Sequence, residues 1–540
     1  MRPLLLTALV APMLAVAGAA ASSSALPASQ ASSGATFVLT GRGWGHGVGF
    51  SQCGAIGYGK HGWNYSQILR HYYQGTQIST TPVSRVRVLI ADGRQSVRVS
   101  SKSAFKVKDG NGKTYPLATT SVTLTTALKV KVDSGKPARA LPGPVTFVPG
   151  RSMLALDGKP YRGQLVIKVS GGKLRAVNSV SLEQYVYGVV PIEIGSSGPA
   201  EALKAQAVAA RSYALAVKRS GGDFDLYPDI RSQSYGGASV ETSATDAAVD
   251  ATAGRVVTYK GKVITAYYSA SSGGRTASIQ DVFLGSPPVP YLVSVSDPYD
   301  NVCPEHTWGP YVYSGSTLAR KLGVAGRVVD ARTVVTGSKR VKTLQLRVGS
   351  RKVAFSGPSV RTTMGLRSTW FRIGVLSLTR PTGPAPYGVG IDLVGIARDV
   401  SRPVLQQRVA GKSWARAAAV QPAGDGTFKI RVKPKRQLEY RVAAGKAASG
   451  AVRVTVAPRV ALETGGPGEL LGSVRPVFAN VRVEIQRQGG GRWASAGAAR
   501  TDGSGSFDAA LNLVPGTYRA RIEARSGFAR GISDPIRLTA

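Results

Sequence analysis

Glu193 is the residue best placed in this chain for acid-base chemistry. It lies within residues 189–219, where an apolar run ends in a turn that leads into an alanine-rich segment. Burial between such elements favours the protonated form of a carboxylic acid, which can then donate a proton near neutral pH. Glutamates near helix starts also act structurally, through the helix dipole, so both roles stay open for Glu193.

The segment after Glu193 predicts one main helix. Pro199 suits its first position, with Ser197 or Gly198 before it as the cap, and Lys218 stands near its end. A narrow apolar stripe recurs at steps of three and four residues, through Leu203, Ala207, Ala210, Ala214 and Val217. Because most of its members are alanine, other backbone can approach this helix closely.

A glycine-rich block, residues 36–78, forms a second candidate region. A short alternating strand is followed by Gly41, Gly43, Gly45, Gly47 and Gly49. Glycine at that density lets backbone approach a ligand or another segment. His46 and Gln52 are the polar side chains suited to contact a ligand there, although histidine serves equally well as a structural hydrogen-bonding group.

Two blocks carry a resemblance to a known family. PIEI and EALKAQAVAARSYA, within residues 191–214, resemble the core motif of the SpoIID/LytB family of bacterial cell-wall proteins, and GRGWGHGVGFSQ, residues 41–52, is similar to another of its motifs. The family contains a sporulation lytic transglycosylase that cuts peptidoglycan strands and a LytB branch described as an enhancer of wall amidases. The resemblance implies a catalytic role for Glu193, although Ile194, Gly195 and Ser196 depart from the family's usual residues.

The same resemblance implies a substrate-binding set. A loop and a serine-glycine turn match family motifs, and with the glycine block they give the candidates His46, Gln52, Gln233, Tyr235, Ser271, Ser272, Gly273 and Gly274. Hydroxyls and open backbone could bond sugar hydroxyls and acetamido groups, while Ser271 and Ser272 could equally only form a turn. Zinc-bearing members carry Cys and His around the loop DIRSQSYGG, which here has neither, so we expect no metal and no cofactor.

The order of the motifs predicts one long-range contact. In the family the glycine block usually follows a GLRSTWF-like strand, which here is far downstream at residues 365–371. The chain therefore resembles a circularly permuted member, and permutation requires termini that lie close together. We expect residues 36–50 to pack beside residues 368–376.

Composition points to the cell envelope. The chain has 540 residues and a formal charge of +40, from 69 Lys and Arg against 29 Asp and Glu. Residues 1–24 read as a secretory signal peptide, and no later segment has a membrane-spanning length. For a secreted, cell-wall-associated protein an anionic wall polymer is the expected counter-charge, and no nucleic-acid-binding motif supports the other reading.

The chain has two cysteines, Cys53 and Cys303. In an oxidising compartment an even pair usually bridges, so a disulfide between them is predicted. The alternative is two buried thiols.

The expected fold class is an α+β SpoIID-like core followed by two β-sandwich modules of immunoglobulin-like type. The core spans residues 36–378 and includes a β-rich subregion at 84–180, predicted from short alternating runs. Residues 380–386 form a Pro/Gly linker, and the two modules cover 387–458 and 459–540.

The two modules are predicted from an internal repeat. Residues 412–432 align with residues 491–511, and each begins with a tryptophan-bearing strand. Trp414 and Trp493 could stack on sugars, but tryptophan is common in sandwich cores, so packing is the favoured role.

Two functions are consistent with the sequence. The first is a lytic transglycosylase that cleaves peptidoglycan glycan strands with Glu193 as acid and then base. The alternative is a non-catalytic, LytB-like wall-binding protein that acts as an enhancer of, or a scaffold for, a wall amidase.

Overall fold

The computed structural model describes residues 34–539, apart from positions 83, 118, 467, 512 and 526. The predicted signal peptide, residues 1–24, lies outside the described residues. The described chain is mostly β, with 43% in strands and 17% in helices, and most strand pairings are antiparallel. None of the described helices is long and apolar enough to cross a membrane.

The glycine-rich block begins in a strand and continues into two short helices. Ser51 accepts a hydrogen bond from the backbone N–H of Gly54, and Asn64 and Gln67 form a reciprocal capping box, which explains where the helices begin. The elements are β1 (Thr36–Arg42), β2 (Phe50–Ser51), α1 (Gln52–Lys60), α2 (Tyr65–Tyr72) and β3 (Gln77–Thr80).

The next region confirms the predicted β structure. Its alternating runs place one face of each strand in a shared core, and they form a six-stranded sheet in the order β4-β15-β14-β11-β6-β7 and a four-stranded sheet in the order β13-β12-β5-β8. The strands are β4 (Arg85–Arg94), β5 (Ser96–Ser101), β6 (Phe105–Lys108), β7 (Thr114–Leu117), β8 (Ser121–Thr125), β9 (Lys129–Val130), β10 (Arg139–Ala140), β11 (Val145–Val148), β12 (Leu154–Leu156), β13 (Lys159–Tyr161), β14 (Gln164–Ser170) and β15 (Lys173–Ser181).

Four helices follow and form the centre of the protein. They are α3 (Leu182–Tyr187), α4 (Val190–Glu193), α5 (Ala200–Val217) and α6 (Ser243–Asp250), with a 3-10 turn at Gly237–Val240. Pro199 is the cap of α5 and not its first helical residue as predicted, because its ψ of 141° is extended. The helix ends at the predicted place, with Lys218 as its C-cap.

Helix α5 packs against two separate cores. One of its faces joins the core of the β-rich region, through Ala207, Ala210 and Ala214. Another joins a core built with α1 and α2, through Ala202, Ala205, Val208 and Ala209. Short side chains on both faces allow both layers to approach closely, so the helix carries two apolar faces where one stripe was predicted.

The remainder of the predicted core alternates short sheets and helices. Its elements are β16 (Arg255–Tyr259), β17 (Lys262–Val263), β18 (Tyr268–Ser269), α7 (Ile279–Val282), β19 (Thr307–Ser314), α8 (Gly315–Lys321), β20 (Val328–Val335), β21 (Val341–Val348), β22 (Arg351–Ser356), α9 (Gly357–Met364) and β23 (Phe371–Leu378), with 3-10 turns at Pro298–Val302 and Pro304–His306. Strand β18 pairs with β2 in parallel, which brings Tyr268 beside Phe50.

The predicted contact between the start and the end of this region is confirmed. Strand β1 pairs antiparallel with β23, in a register that places Phe37 opposite Val375. On its other side β1 pairs with β19. Strand β1 is therefore an interior strand of its sheet.

The C-terminal residues form two sandwiches. Their strands are β24 (Ala385–Pro386), β25 (Ile391–Arg398), β26 (Val404–Arg408), β27 (Ala415–Ala419), β28 (Thr427–Val432), β29 (Leu438–Ala444), β30 (Ala447–Ala448), β31 (Val452–Val454), β32 (Val456–Ala457), β33 (Arg459–Thr464), β34 (Glu469–Arg475), β35 (Arg482–Gly489), β36 (Arg492–Arg500), β37 (Ser506–Ala510), β38 (Gly516–Ile522), β39 (Gly531–Ile532) and β40 (Ile536–Leu538). In each sandwich, two sheets enclose one apolar core.

One sheet runs across the predicted linker. Its order is β19-β1-β23-β25-β28, so residues 380–386 connect two adjacent strands of the same sheet. The first C-terminal sandwich is therefore continuous with the region that contains β1.

The tryptophans of the internal repeat do not pack in the cores, and that prediction is wrong. The pairing of β26 with β27 shifts between Leu405 and Gln406, and the pairing of β35 with β36 shifts between Ile485 and Gln486. Each β-bulge inserts one extra residue, so the side chains before it point to the opposite face of the sheet from the one that strict alternation would give. Trp414 and Trp493 are consequently half-buried on the outer faces.

A disulfide connects the glycine-rich block to a distant loop. Cys53 in α1 is bonded to Cys303, 250 residues away in sequence, and their Cα atoms are 5.7 Å apart. Cross-linking so long a segment restricts the unfolded chain.

Removing this disulfide should destabilise the protein. We expect the Cys53→Ser/Cys303→Ser variant to lose about 2–5 kcal/mol of free energy of unfolding, the range typical of native disulfides. Urea unfolding with and without reductant measures this loss. Reductant should lower the urea midpoint of the unmodified protein and leave that of the variant unchanged. Equal midpoints for the variant and the oxidised protein would contradict the expectation.

Candidate active site

Glu193 ends the short helix α4, between the buried residues of the β-rich region and the start of α5. Val189 and Val190 before it are fully buried, which anchors the turn. The carboxylate accepts a hydrogen bond from the backbone N–H of Ser234 at 2.9 Å. The side chain is half-buried, so it meets both the protein interior and the surface.

Burial raises the pKa of Glu193 above the ordinary value for glutamate. Hydrogen bonds from the Ser234 backbone and from the side chains of Tyr268 and Gln52 stabilise the charged form and oppose the rise only in part. The acid therefore holds its proton to a higher pH than a solvated glutamate. When it loses the proton, the same donors are already in place for the carboxylate.

Gln233 supports this arrangement from the interior. It is 2% exposed, and its amide nitrogen donates to the Tyr268 hydroxyl at 2.8 Å and to the Ala210 carbonyl at 3.2 Å. Its oxygen accepts from the Tyr185 hydroxyl at 3.1 Å. Gln233 thus positions Tyr268, which bonds Glu193, and is too buried to be the surface ligand that the sequence suggested.

Aromatic side chains lie near the carboxyl group of Glu193. Burial raises the pKa of Tyr213 to about 12, with smaller contributions from Tyr267 and Glu193, and burial likewise raises the pKa of Tyr268. Both phenols therefore stay neutral. Tyr235 is also buried, and its hydroxyl donates to Asn178 at 2.7 Å, which is a structural contact.

Glu193, Asp246 and Asp250 are the carboxylates of residues 183–250 that form no salt bridge with a described residue. The other six form salt bridges with Lys or Arg: Glu183, Glu201, Asp223, Asp225, Asp229 and Glu241. A carboxylate paired with a cation is held in its charged form, so Glu193 is a better proton donor than those six. Burial also raises the pKa of Asp246, but Asp246 lies in α6 and not in the turn before α5.

Gln52 and His46, both in the glycine block, differ in their relation to Glu193. Gln52 is nearly buried and bonds both Glu193 and Gln206, its amide donating to the latter at 3.3 Å. The Nδ1 of His46 accepts from the Val48 N–H at 3.0 Å, and the ring also bonds the Tyr268 backbone. Burial, with the charges of Arg361 and Arg340, lowers the pKa of His46 to about 4, so it is neutral and structural in this arrangement.

The serine-glycine turn binds the protein itself. The Ser271 hydroxyl donates to Asp300 at 2.7 Å, and the Ser272 hydroxyl donates to Asp297 at 2.7 Å. Both serines are 1% exposed, and both aspartates are fully buried. The hydroxyls therefore hold the turn and do not face open solvent.

The glycines of this turn allow it to lie against the glycine block. Gly273 has a φ of +78°, and a Cβ there would come within 2.7 Å of the Gly43 nitrogen. The Gly274 N–H donates to the Ser272 hydroxyl at 3.0 Å. Backbone hydrogen bonds between Trp44 and Ser271 complete the contact, so the two predicted motifs are brought together to build the fold.

The structure adds residues that the sequence did not indicate. Tyr268, Tyr213 and the Ser234 backbone surround Glu193, and no local motif distinguishes these tyrosines from the other 19 of the chain's 21. Asp297 and Asp300 are two further residues of the site region that no local motif marks. Their role as buried acceptors depends on the Ser271–Ser272 turn, which is distant along the chain.

The described residues contain one group of potential metal ligands, Cys53, Cys303 and Glu305, whose ligand atoms lie within 4.8 Å of one another. The two sulfur atoms form the disulfide, so neither is available as a thiolate ligand for a metal.

Protein stability should depend on the ionisation of Asp297. Burial, and then the charge of Asp300, raise the pKa of Asp297 to about 7. A carboxyl with a raised folded-state pKa stabilises the fold when protonated, and this stabilisation is lost as pH rises toward 7. We expect the free energy of unfolding to fall between pH 4 and pH 7 by an amount on the order of 4 kcal/mol, with a corresponding fall in Tm, and Asp297→Asn to flatten both.

Thermal unfolding at several pH values tests this. Equal slopes for the parent protein and Asp297→Asn would show that another group controls the pH dependence.

Comparison with known proteins gives a consistent set of relatives. Residues 170–259 match the family model described as stage II sporulation protein. Stage II sporulation protein D of Bacillus subtilis is 30% identical over 242 residues, which cover 41% of this chain and 69% of that protein. The same protein of Bacillus amyloliquefaciens is also 30% identical, over 68% of its length.

Two further relatives match over smaller shares of their length. An uncharacterized protein of Brachyspira hyodysenteriae is 41% identical over 143 residues, which are 26% of this chain and 38% of that protein. The amidase enhancer of Bacillus subtilis is 40% identical over 150 residues, 27% of this chain and 20% of that protein. This chain therefore spans well under half of either relative.

A solved structure of two fibronectin type III domains from chicken tenascin aligns with 30% of this chain and 94% of its own, at 17% identity and a TM-score of 0.19. A TM-score that low says nothing about the fold.

Proposed function

The chain belongs to the stage II sporulation protein D family, and from that membership we propose that it is a secreted peptidoglycan-remodelling protein that cleaves glycan strands as a lytic transglycosylase. The observation that carries the proposal is the desolvated carboxyl of Glu193, whose pKa is raised and which lacks a cationic partner among the described residues.

In the proposed reaction Glu193 acts twice. As an acid it donates its proton to the glycosidic oxygen, and the bond from that oxygen to the sugar C1 breaks. As a base it then takes the proton of the sugar's own 6-hydroxyl, whose oxygen bonds C1 to give a 1,6-anhydro end. Glu193 is left protonated again, and no water is consumed, so one carboxyl is sufficient.

The surroundings of Glu193 support both steps. Burial favours the protonated acid that starts the reaction, while the Ser234 N–H and the Tyr268 and Gln52 side chains stabilise the carboxylate between the steps. Because Gln233 fixes Tyr268 at 2.8 Å, this donor is organised before substrate arrives. Ile192, 43% exposed, gives the adjoining surface an apolar contact for a sugar ring.

The proposed location is the cell wall outside the membrane. A disulfide suits an oxidising compartment, and the charge of +40 favours association with an anionic wall. In this proposal the two C-terminal sandwiches are immunoglobulin-like modules that hold the protein on the wall.

Glu193→Gln should abolish strand cleavage. Gln keeps the shape and the acceptor for the Ser234 N–H but has no proton to donate, so we expect a loss of at least about 100-fold. The matched control is Glu201→Gln, since Glu201 is paired with Lys204 at 2.7 Å and should be dispensable. Mass spectrometry of anhydro-muramyl ends, on strands with and without stem peptides, measures both.

The pH profile provides a second readout of the same residue. Activity should fall as pH rises through the raised pKa of Glu193, because the proton donor is then lost. Undiminished product from a folded Glu193→Gln variant would overturn the assignment.

The similarity to the amidase enhancer favours a second function, which needs no catalysis by Glu193. In that case the protein would stimulate a wall amidase by binding the wall or the enzyme. An added wall amidase should then release stem peptides from sacculi faster in the presence of this protein. The Glu193→Gln variant should stimulate that release as much as the unmodified protein does. Absence of stimulation by either protein would exclude this function.

A further inference from the structure

Two equivalent surfaces lie on the outer faces of the C-terminal sandwiches. In both, a β-bulge at the same place turns a tryptophan outward, Trp414 in the first and Trp493 in the second. Bulges that re-aim a side chain are typical of binding sites and sheet edges. Two such bulges, at repeated positions, indicate a shared use of the exposed indoles.

In the first sandwich the outward tryptophan meets two arginines. The guanidinium carbons of Arg408 and Arg441 lie 4.4 and 4.2 Å from the centre of the Trp414 ring, which is cation–π distance. The Nε of Arg441 donates to the Gln406 Oε1 at 2.7 Å. Arg408 is instead paired with Glu439 at 2.8 Å, so its charge is already neutralised.

The second sandwich repeats the central part of this arrangement. The guanidinium carbon of Arg519 lies 4.3 Å from the Trp493 ring centre, and its Nε donates to the Gln486 Oε1 at 2.8 Å. Gln486 is only 4% exposed, so the arginine is anchored to a buried group. Gln486 faces Arg519 across the sheet just as Gln406 faces Arg441.

The anchored arginines keep unused donors. Beyond the Nε bond, Arg441 and Arg519 form no hydrogen bond or ion pair with any described residue, so their terminal nitrogens are free. Burial and then a neighbouring arginine lower the pKa of each, Arg408 acting on Arg441 and Arg521 on Arg519, while Glu484 offsets the lowering at Arg519 only in part. A guanidinium anchored over an indole presents a fork of donors that fits a carboxylate or phosphate.

We propose that these two surfaces, each made of a tryptophan, an arginine and a glutamine, are equivalent binding sites for one anionic polysaccharide, whose carboxylate or phosphate groups pair with Arg441 and Arg519. The half-exposed indoles give a sugar ring an apolar contact beside the charge. Both modules are basic, with 13 Lys and Arg against four Asp and Glu in residues 387–458 and 11 against seven in residues 459–540.

Two sites on one chain bind a polymer more tightly than either does alone. Once the first site is occupied, the second meets the same polymer at a high effective concentration. This role is independent of Glu193, so it holds whether or not the proposed cleavage occurs.

The test compares two double variants of the full chain. We expect R441Q/R519Q to weaken binding to an anionic polysaccharide at least tenfold. The matched control, R402Q/R459Q, removes the same charge from exposed arginines that make no hydrogen bond or ion pair with a described residue, and should change affinity less than twofold. The probes are poly(glycerol phosphate), hyaluronan and neutral dextran, followed by tryptophan fluorescence and calorimetry.

The outcomes are distinct. Preference for poly(glycerol phosphate) supports the proposal with phosphate as the anion, and preference for hyaluronan supports it with carboxylate. Equal losses in both double variants, or equal binding to dextran, would overturn it, as would tighter binding to single-stranded DNA with the same dependence on Arg441 and Arg519. W414F/W493F, which keeps an aromatic ring, should weaken binding less than R441Q/R519Q, and matching melting curves exclude misfolding.

Discussion

Close packing on both sides of α5 is the constraint on which the site depends. Alanine at Ala207 and Ala210 on one face, and at Ala205 and Ala209 on the other, lets two cores approach the same helix. Larger side chains would separate those layers, and overpacking a core typically costs about 1–3 kcal/mol. Since α4 lies immediately before this helix, the position of Glu193 is set by how closely the two cores meet.

The second constraint is electrostatic. In a chain with 69 Lys and Arg, most carboxylates near the centre find a cation, as Glu183 does with the fully buried Arg211. Glu193 instead meets neutral donors that are themselves fixed by buried groups. Neutral donors leave the proton affinity high and still stabilise the anion, whereas an arginine in the same place would have held the carboxylate permanently charged.

Local patterns were sufficient to predict several parts of this protein. The alternating runs of the β-rich region and the end of the alanine-rich helix depend on neighbouring residues. The order of motifs shared with the family indicated the pairing of β1 with β23. The contacts of Ser271 and Ser272 could not be predicted this way, because their partners become neighbours only after folding. The outward direction of Trp414 and Trp493 was also not predicted, because one inserted residue reverses the alternation of faces on which strand predictions rely.

The placement of β1 has a consequence for how the chain folds. This strand is near the front of the chain, yet it is bordered by β19 and β23, and the sheet continues into β25 and β28. Strand β1 thus completes its sheet only when strands far downstream in the chain are in place. Sheets built from such distant pairings form slowly, so β1 must stay unpaired, and protected from pairing wrongly, until those strands are available.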